Sequence, residues 1–97
     1  MRDVRTIAVL GAGTMGHGIA HAAAASGFDT RLFDVSDGQL QRARGQIEAV
    51  FQKAVELGKA TTAEADAGLT RLMTTADLAR ALEGCDLVIE AVPDGSI

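Results

Sequence analysis

Residues 6–20 read TIAVLGAGTMGHGIA, and this stretch decides the fold. Arg5 to Leu10 is short, β-branched and almost continuously apolar, the pattern of a strand buried on both faces of a parallel sheet. Gly11, Gly13 and Gly16 follow at G-x-G-x-x-G spacing. From Thr14 to about Ser26, Met15, Ile19, Ala22 and Ala23 then recur at helical spacing, and Gly27 stands where a helix stops. A chain that omits side chains three times in a strand-to-helix turn is leaving room for something to approach its main chain.

Working outward, FDTRLFDV supplies a second strand ending near Asp34, and Ser36 is placed to cap the next helix. That helix is long, with Leu40, Ala43, Ile47, Val50, Phe51 and Ala54 on one stripe as far as about Leu57, before Gly58. Gly45 in its middle reads as the mark of a close crossing against another backbone. Thr62 starts a second helix and so an αα hairpin. LMTTA (72–76) is a third strand, Asp77 caps a short helix through Leu82 that Gly84 ends, and CDLVIEAV (85–92) is a fourth strand ended by Pro93. Right-handed crossovers turn this order into an α/β, Rossmann-type, doubly wound parallel sheet of order 3-2-1-4 with helices on both faces. Residues 1–97 are then the N-terminal part of a dinucleotide-binding domain. The fourth strand is an uncovered apolar edge, which leads us to expect a piece of a longer protein.

The glycine spacing has a chemical reading. The first N–H groups of a helix lack partners within the helix and, with the helix dipole, favour an anion. Gly11 permits the sharp turn, Gly13 lets a pyrophosphate reach the main chain, and Gly16 lets the helix lie against the strand. Asp34 ends the second strand 23 residues after Gly11, where a carboxylate accepts from both ribose hydroxyls of an adenosine. It would repel a 2′-phosphate, and Val35, Ser36 and Asp37 offer no arginine in exchange, so NAD is preferred to NADP. A flavin dinucleotide is the runner-up ligand.

The remaining residues narrow the class. Nine basic against thirteen acidic residues give a net charge of −4, without the basic cluster that nucleic acid or an anionic membrane would require. A lone cysteine, Cys85, excludes an internal disulfide and fits a reducing, cytoplasmic setting; its simplest role is packing. His17 and His21 have metal-ligand spacing on a helix, but Gly18 takes the place of the H-E-x-x-H glutamate, and surface or packing roles are preferred. Glu90, inside an apolar strand, must be paired or reach solvent, with a cofactor role as the alternative.

The stretches IAVLGAGTMGHGIA, LFDV and CDLVIEAVP resemble the N-terminal NAD-binding segment of the 3-hydroxyacyl-CoA dehydrogenase family, including its bacterial 3-hydroxybutyryl-CoA members. The resemblance extends over residues 4–94. Its most specific parts are Met15-Gly16 and Ile89-Glu90-Ala91-Val92-Pro93. It implies NAD held by Gly11, Ala12, Gly13, Thr14, Met15 and Gly16, with the ribose on Asp34 and further contacts at Ala91 and Val92. Asp94 stands where the family has a glutamate, and no residue here matches the family's nearby lysine. The resemblance further implies hydride transfer from a (3S)-hydroxyacyl-CoA, with a His–Glu pair, an acyl-CoA site and a homo-oligomer built by residues beyond Ile97. The 97 residues alone would then be inactive. Alternative readings are another NAD(P)-dependent β-hydroxyacid dehydrogenase and a non-enzymatic NAD-binding module.

Overall fold

Strand β1 (Thr6–Leu10) lies between two parallel neighbours, and its residues alternate between two packed faces. Ile7 and Val9 join the larger core while Leu10 joins a smaller one on the other side. The computed structural model describes residues 3–92, so the readings at Pro93 and Asp94 lie outside it. After β1 come α1 (Thr14–Ala25), β2 (Asp29–Phe33), α2 (Asp37–Glu56), α3 (Thr62–Arg71), β3 (Leu72–Thr75), α4 (Leu78–Leu82) and β4 (Leu87–Glu90). The sheet is parallel throughout, in the order β3-β2-β1-β4, as the crossover rule required.

Helices α1, α2 and α3 cover one face. Ala20, Ala23 and Ala24 of α1, Leu40, Ala43, Ile47 and Phe51 of α2, and Ala65 of α3 close over Ile7, Val9, Leu32 and Leu72. Small side chains on α1 let it lie close to the sheet, which compensates for the scarcity of aromatics. The opposite face carries α4, whose Ala81 packs on Leu10 and Phe33. Because the chain turns back from β3 to β4 across that face, the connections on either side of β1 run over opposite faces of the sheet. The topological switch point therefore lies between β1 and β4.

Side chains terminate the elements much as expected. Ser36 accepts from the Gln39 N–H at 3.2 Å to cap α2, and Asp77 accepts from the Arg80 N–H at 3.3 Å to cap α4. Thr61 and Glu64 form a reciprocal capping box at the start of α3. These hydrogen bonds to Thr61, the backbone one foremost, hold the Glu64 carboxyl below its ordinary value.

One packing expectation is overturned. Gly45 is exposed, with open space where its Cβ would be, so it marks no helix crossing. The crossing is at Gly68 of α3, buried against the ring of Phe51, where a Cβ would meet Cζ at 2.5 Å. The hairpin thus closes by setting an aromatic ring of α2 on a residue of α3 that has no side chain.

β4 is less covered than β1, with Leu87 and Val88 exposed at 44% and 45%. Its start is tied to β1 by Asp86, whose carboxylate accepts from the N–H groups of Arg5 and Thr6 at 2.9 and 3.0 Å. Among the described residues, no helix is long and apolar enough to cross a membrane.

Candidate cofactor site

The C-terminal rim of the sheet is drawn together by main-chain bonds around the glycine turn. The Gly11 N–H donates to the Phe33 carbonyl at 2.7 Å, and the Ala91 N–H donates to the Leu10 carbonyl at 2.8 Å. The turn is thus joined to the end of β2 on one side and to the residues after β4 on the other.

Gly11 has φ +108°, a conformation that disfavours any side chain. A Cβ there would also meet Val92 Cγ1 at 2.8 Å and the Ala91 carbonyl carbon at 3.2 Å. Gly16 is buried, and a Cβ on it would run into the Gly11 carbonyl. Gly13 differs from both, because nothing in the protein lies within 4 Å of where its Cβ would stand. Two of the three glycines are therefore required by the protein's own packing, and the third faces open space.

Gly13 is the N-cap of α1, yet no side chain caps that helix and no acidic residue occupies its first turn. The His17 N–H closes the turn on the Gly13 carbonyl at 2.9 Å. Helix geometry then leaves the N–H groups of Thr14, Met15 and Gly16 without i−4 acceptors. Thr14 and Met15 are exposed. Uncapped donors, a positive dipole end and the absence of acidic residues from the first turn are electrostatically suited to an anion.

Asp34 follows β2 directly and is half-buried. One of its carboxylate oxygens accepts from the Ala12 N–H at 2.9 Å, and the other accepts from the Ser36 N–H at 2.9 Å. Each oxygen keeps further acceptor capacity. Ala12, expected among the cofactor contacts, is buried and directs its N–H to Asp34. This bond was not legible in the sequence, since the motif gives only the spacing of the two residues.

The two histidines are engaged within the fold. His17 Nδ1 lies 3.1 Å from the Gly13 carbonyl, a contact that is a hydrogen bond when Nδ1 carries the proton. His21 meets the Phe51 ring edge-on at 4.8 Å, and burial, then the charge of His17, lowers its pKa below 6.5. Among the described residues no group of three or more His, Cys, Asp or Glu could hold a metal ion. Glu90 is exposed and so reaches solvent, and Cys85 is half-buried. A wide concavity of about 1030 Å³ lies beneath α4, lined in part by Arg31, Met73 and Arg80, and includes no residue of the turn.

Residues 6–96 match the family model described as the NAD-binding domain of 3-hydroxyacyl-CoA dehydrogenase. The chain belongs to this family. Its cofactor is NAD, and the open face at Gly13, the uncapped start of α1 and the carboxylate of Asp34 fit that dinucleotide. The chain is 43% identical over 94 residues to the 3-hydroxyadipyl-CoA dehydrogenase of Escherichia coli K12, covering 97% of this chain and 20% of the relative. It is 45% identical over 84 residues to a probable 3-hydroxybutyryl-CoA dehydrogenase of Deinococcus radiodurans, covering 87% of this chain and 30% of that protein. The crystal structure of 3-hydroxybutyryl-CoA dehydrogenase from Escherichia coli K12 superposes with a TM-score of 0.88 at 43% identity, over 94% of this chain and 19% of that one. The chain thus spans a fifth to a third of the length of these relatives.

Proposed function

We propose that this chain is the NAD-binding segment of an oxidoreductase that moves hydride between a (3S)-hydroxyacyl-CoA and NAD, giving the 3-oxoacyl-CoA. The observation that carries this reading is the pairing of an uncapped helix start at Gly13 with a carboxylate at Asp34 on the neighbouring strand end. The N–H groups of Thr14, Met15 and Gly16 hold the diphosphate, while Gly13 lets it come close. Asp34 accepts from the adenosine ribose hydroxyls, and its charge rejects a 2′-phosphate. Ala91 and Val92 line the path toward the nicotinamide from the β4 side of the switch point, and Asp94 is taken as a cofactor contact from the family resemblance alone. Bound NAD supplies the hydride acceptor.

Proton removal from the 3-hydroxyl needs a base that this segment does not offer. His17 and His21 stand on α1 just after the diphosphate turn, one against the Gly13 carbonyl through Nδ1 and the other against Phe51, and we assign neither of them to that step. The base, the acyl-CoA site and a homo-oligomeric interface belong to residues outside these 97, and the setting is the cytoplasm. Residues 1–97 by themselves bind the cofactor without turnover.

Calorimetric titration with NAD and NADP, together with an assay of NADH formation from 3-hydroxybutyryl-CoA, tests the reading. We expect saturable NAD binding, much weaker NADP binding, and turnover only when the base and acyl site are present. Equal affinity for the two cofactors would remove the role given to Asp34, and absence of NAD binding would remove the whole proposal.

A further inference from the structure

We propose that Asp34 has a second task, to hold the glycine turn in its binding conformation before any cofactor arrives. The inference rests on the proposed cofactor reading, because it concerns the same turn. Asp34 sits at the end of β2, yet one carboxylate oxygen reaches across the rim to the Ala12 N–H at 2.9 Å. The other oxygen is braced by the Ser36 N–H at 2.9 Å, at the entry to α2. The Asp34 N–H is itself fixed on the Thr75 carbonyl at 3.3 Å. The main chain of Asp34 is therefore anchored on β3, and its carboxylate is held by the α2 entry and by the turn.

Ala12 lies between the two glycines whose positions matter most, Gly11 with φ +108° and Gly13 at the open face. Glycine-rich main chain has many accessible conformations, and ordering it only on binding would weaken the complex. A charge-assisted bond to the peptide between these glycines selects one conformation in advance. It also takes the Ala12 N–H out of the set of phosphate donors, leaving that work to the first turn of α1.

The sign of one effect separates this role from simple electrostatics. A diphosphate seated near Asp34 is repelled by its charge, so removing the charge alone should tighten binding of an anion that makes no contact with the carboxylate. A positioning role demands the reverse.

The experiment compares ADP with 2′,3′-dideoxy-ADP, which lacks the ribose hydroxyls, on the full protein and its Asp34→Ala and Asp34→Asn variants. Amide hydrogen exchange of the unliganded proteins is measured alongside. We expect Asp34→Ala to weaken dideoxy-ADP by on the order of tenfold and to accelerate exchange at Ala12, with Val9 and Leu32 still protected. Asp34→Asn keeps a side-chain oxygen for the Ala12 N–H and should bind dideoxy-ADP nearly as the parent does. Unchanged or tighter dideoxy-ADP binding by Asp34→Ala would overturn the inference while leaving the ribose assignment intact, as would unaltered exchange at Ala12. Equal binding of ADP and dideoxy-ADP by the parent would instead remove the ribose assignment. If neither nucleotide binds, the cofactor reading fails and exchange at Ala12 alone decides the positioning role.

Discussion

The carbonyl of Gly11 occupies the space that a Cβ on Gly16 would need, so β1 and α1 are held apart by no side chain at their point of nearest approach. Gly16→Ala should push the helix off the strand and destabilise the fold by about 3 kcal/mol, because a backbone carbonyl gives way less readily than a side chain. Gly13→Val should behave oppositely. With φ −74° and open space beyond, it is expected to leave stability within about 0.5 kcal/mol of the parent while abolishing NAD binding. Urea unfolding and NAD titration on both variants check the contrast.

Asp34→Ala should weaken NAD by roughly 1.5–3 kcal/mol, the range for hydrogen bonds to a charged acceptor. NADP should lose far less, since its 2′-phosphate no longer meets a like charge. The ratio of the two affinities, measured at constant ionic strength, is the quantity to follow, and a ratio equal to that of the parent would contradict the assignment.

Gly68 and Phe51 should be coupled. Gly68→Ala alone sets a methyl group at 2.5 Å from the ring and is expected to destabilise by about 1–3 kcal/mol. In a Phe51→Leu background the same change should be milder, and a double-mutant cycle by thermal or urea unfolding gives the interaction energy directly.

His21 should make stability fall on acidification. Its folded pKa is lowered from 6.5 by partial burial, then by the charge of His17, so the unfolded chain binds the proton more readily. The contribution is fully present above about pH 6.5 and is lost as the pH drops through the lowered folded value. His21→Gln should flatten this part of the stability profile, and an NMR titration of the ring proton should place the folded midpoint below that of an unfolded peptide.

Much of this was legible because its cause is local. The apolar run before Gly11, the caps at Ser36 and Asp77 and the position of Asp34 each follow from spacing along one segment, and the crossover rule then fixed the strand order. The misread glycine shows where that reasoning ends. Gly45 and Gly68 look alike along the chain, and only the approach of Phe51 from α2 makes the second one necessary. Arg31 is a similar case. As part of FDTRLFDV it merely makes β2 look less apolar, whereas in the fold its guanidinium donates to the carbonyls of Arg80, Ala81 and Glu83 at the end of α4. The bond from the Ala12 N–H to Asp34 is illegible along the chain for the same reason, since the motif assigns that carboxylate to a ligand and says nothing of the main chain beside it.

The clasp from Arg31 has a consequence for how the sheet comes apart. A five-residue helix cannot sustain itself, and α4 is kept wound from outside by a side chain of the strand beneath it. That one turn is also the only covalent bridge between the outermost strands on opposite flanks, β3 and β4. Loosening the guanidinium would therefore free the thinly covered flank first, letting β4 peel from β1 and withdraw Ala91 and Val92 from the mouth of the glycine turn while the three-helix side stays whole.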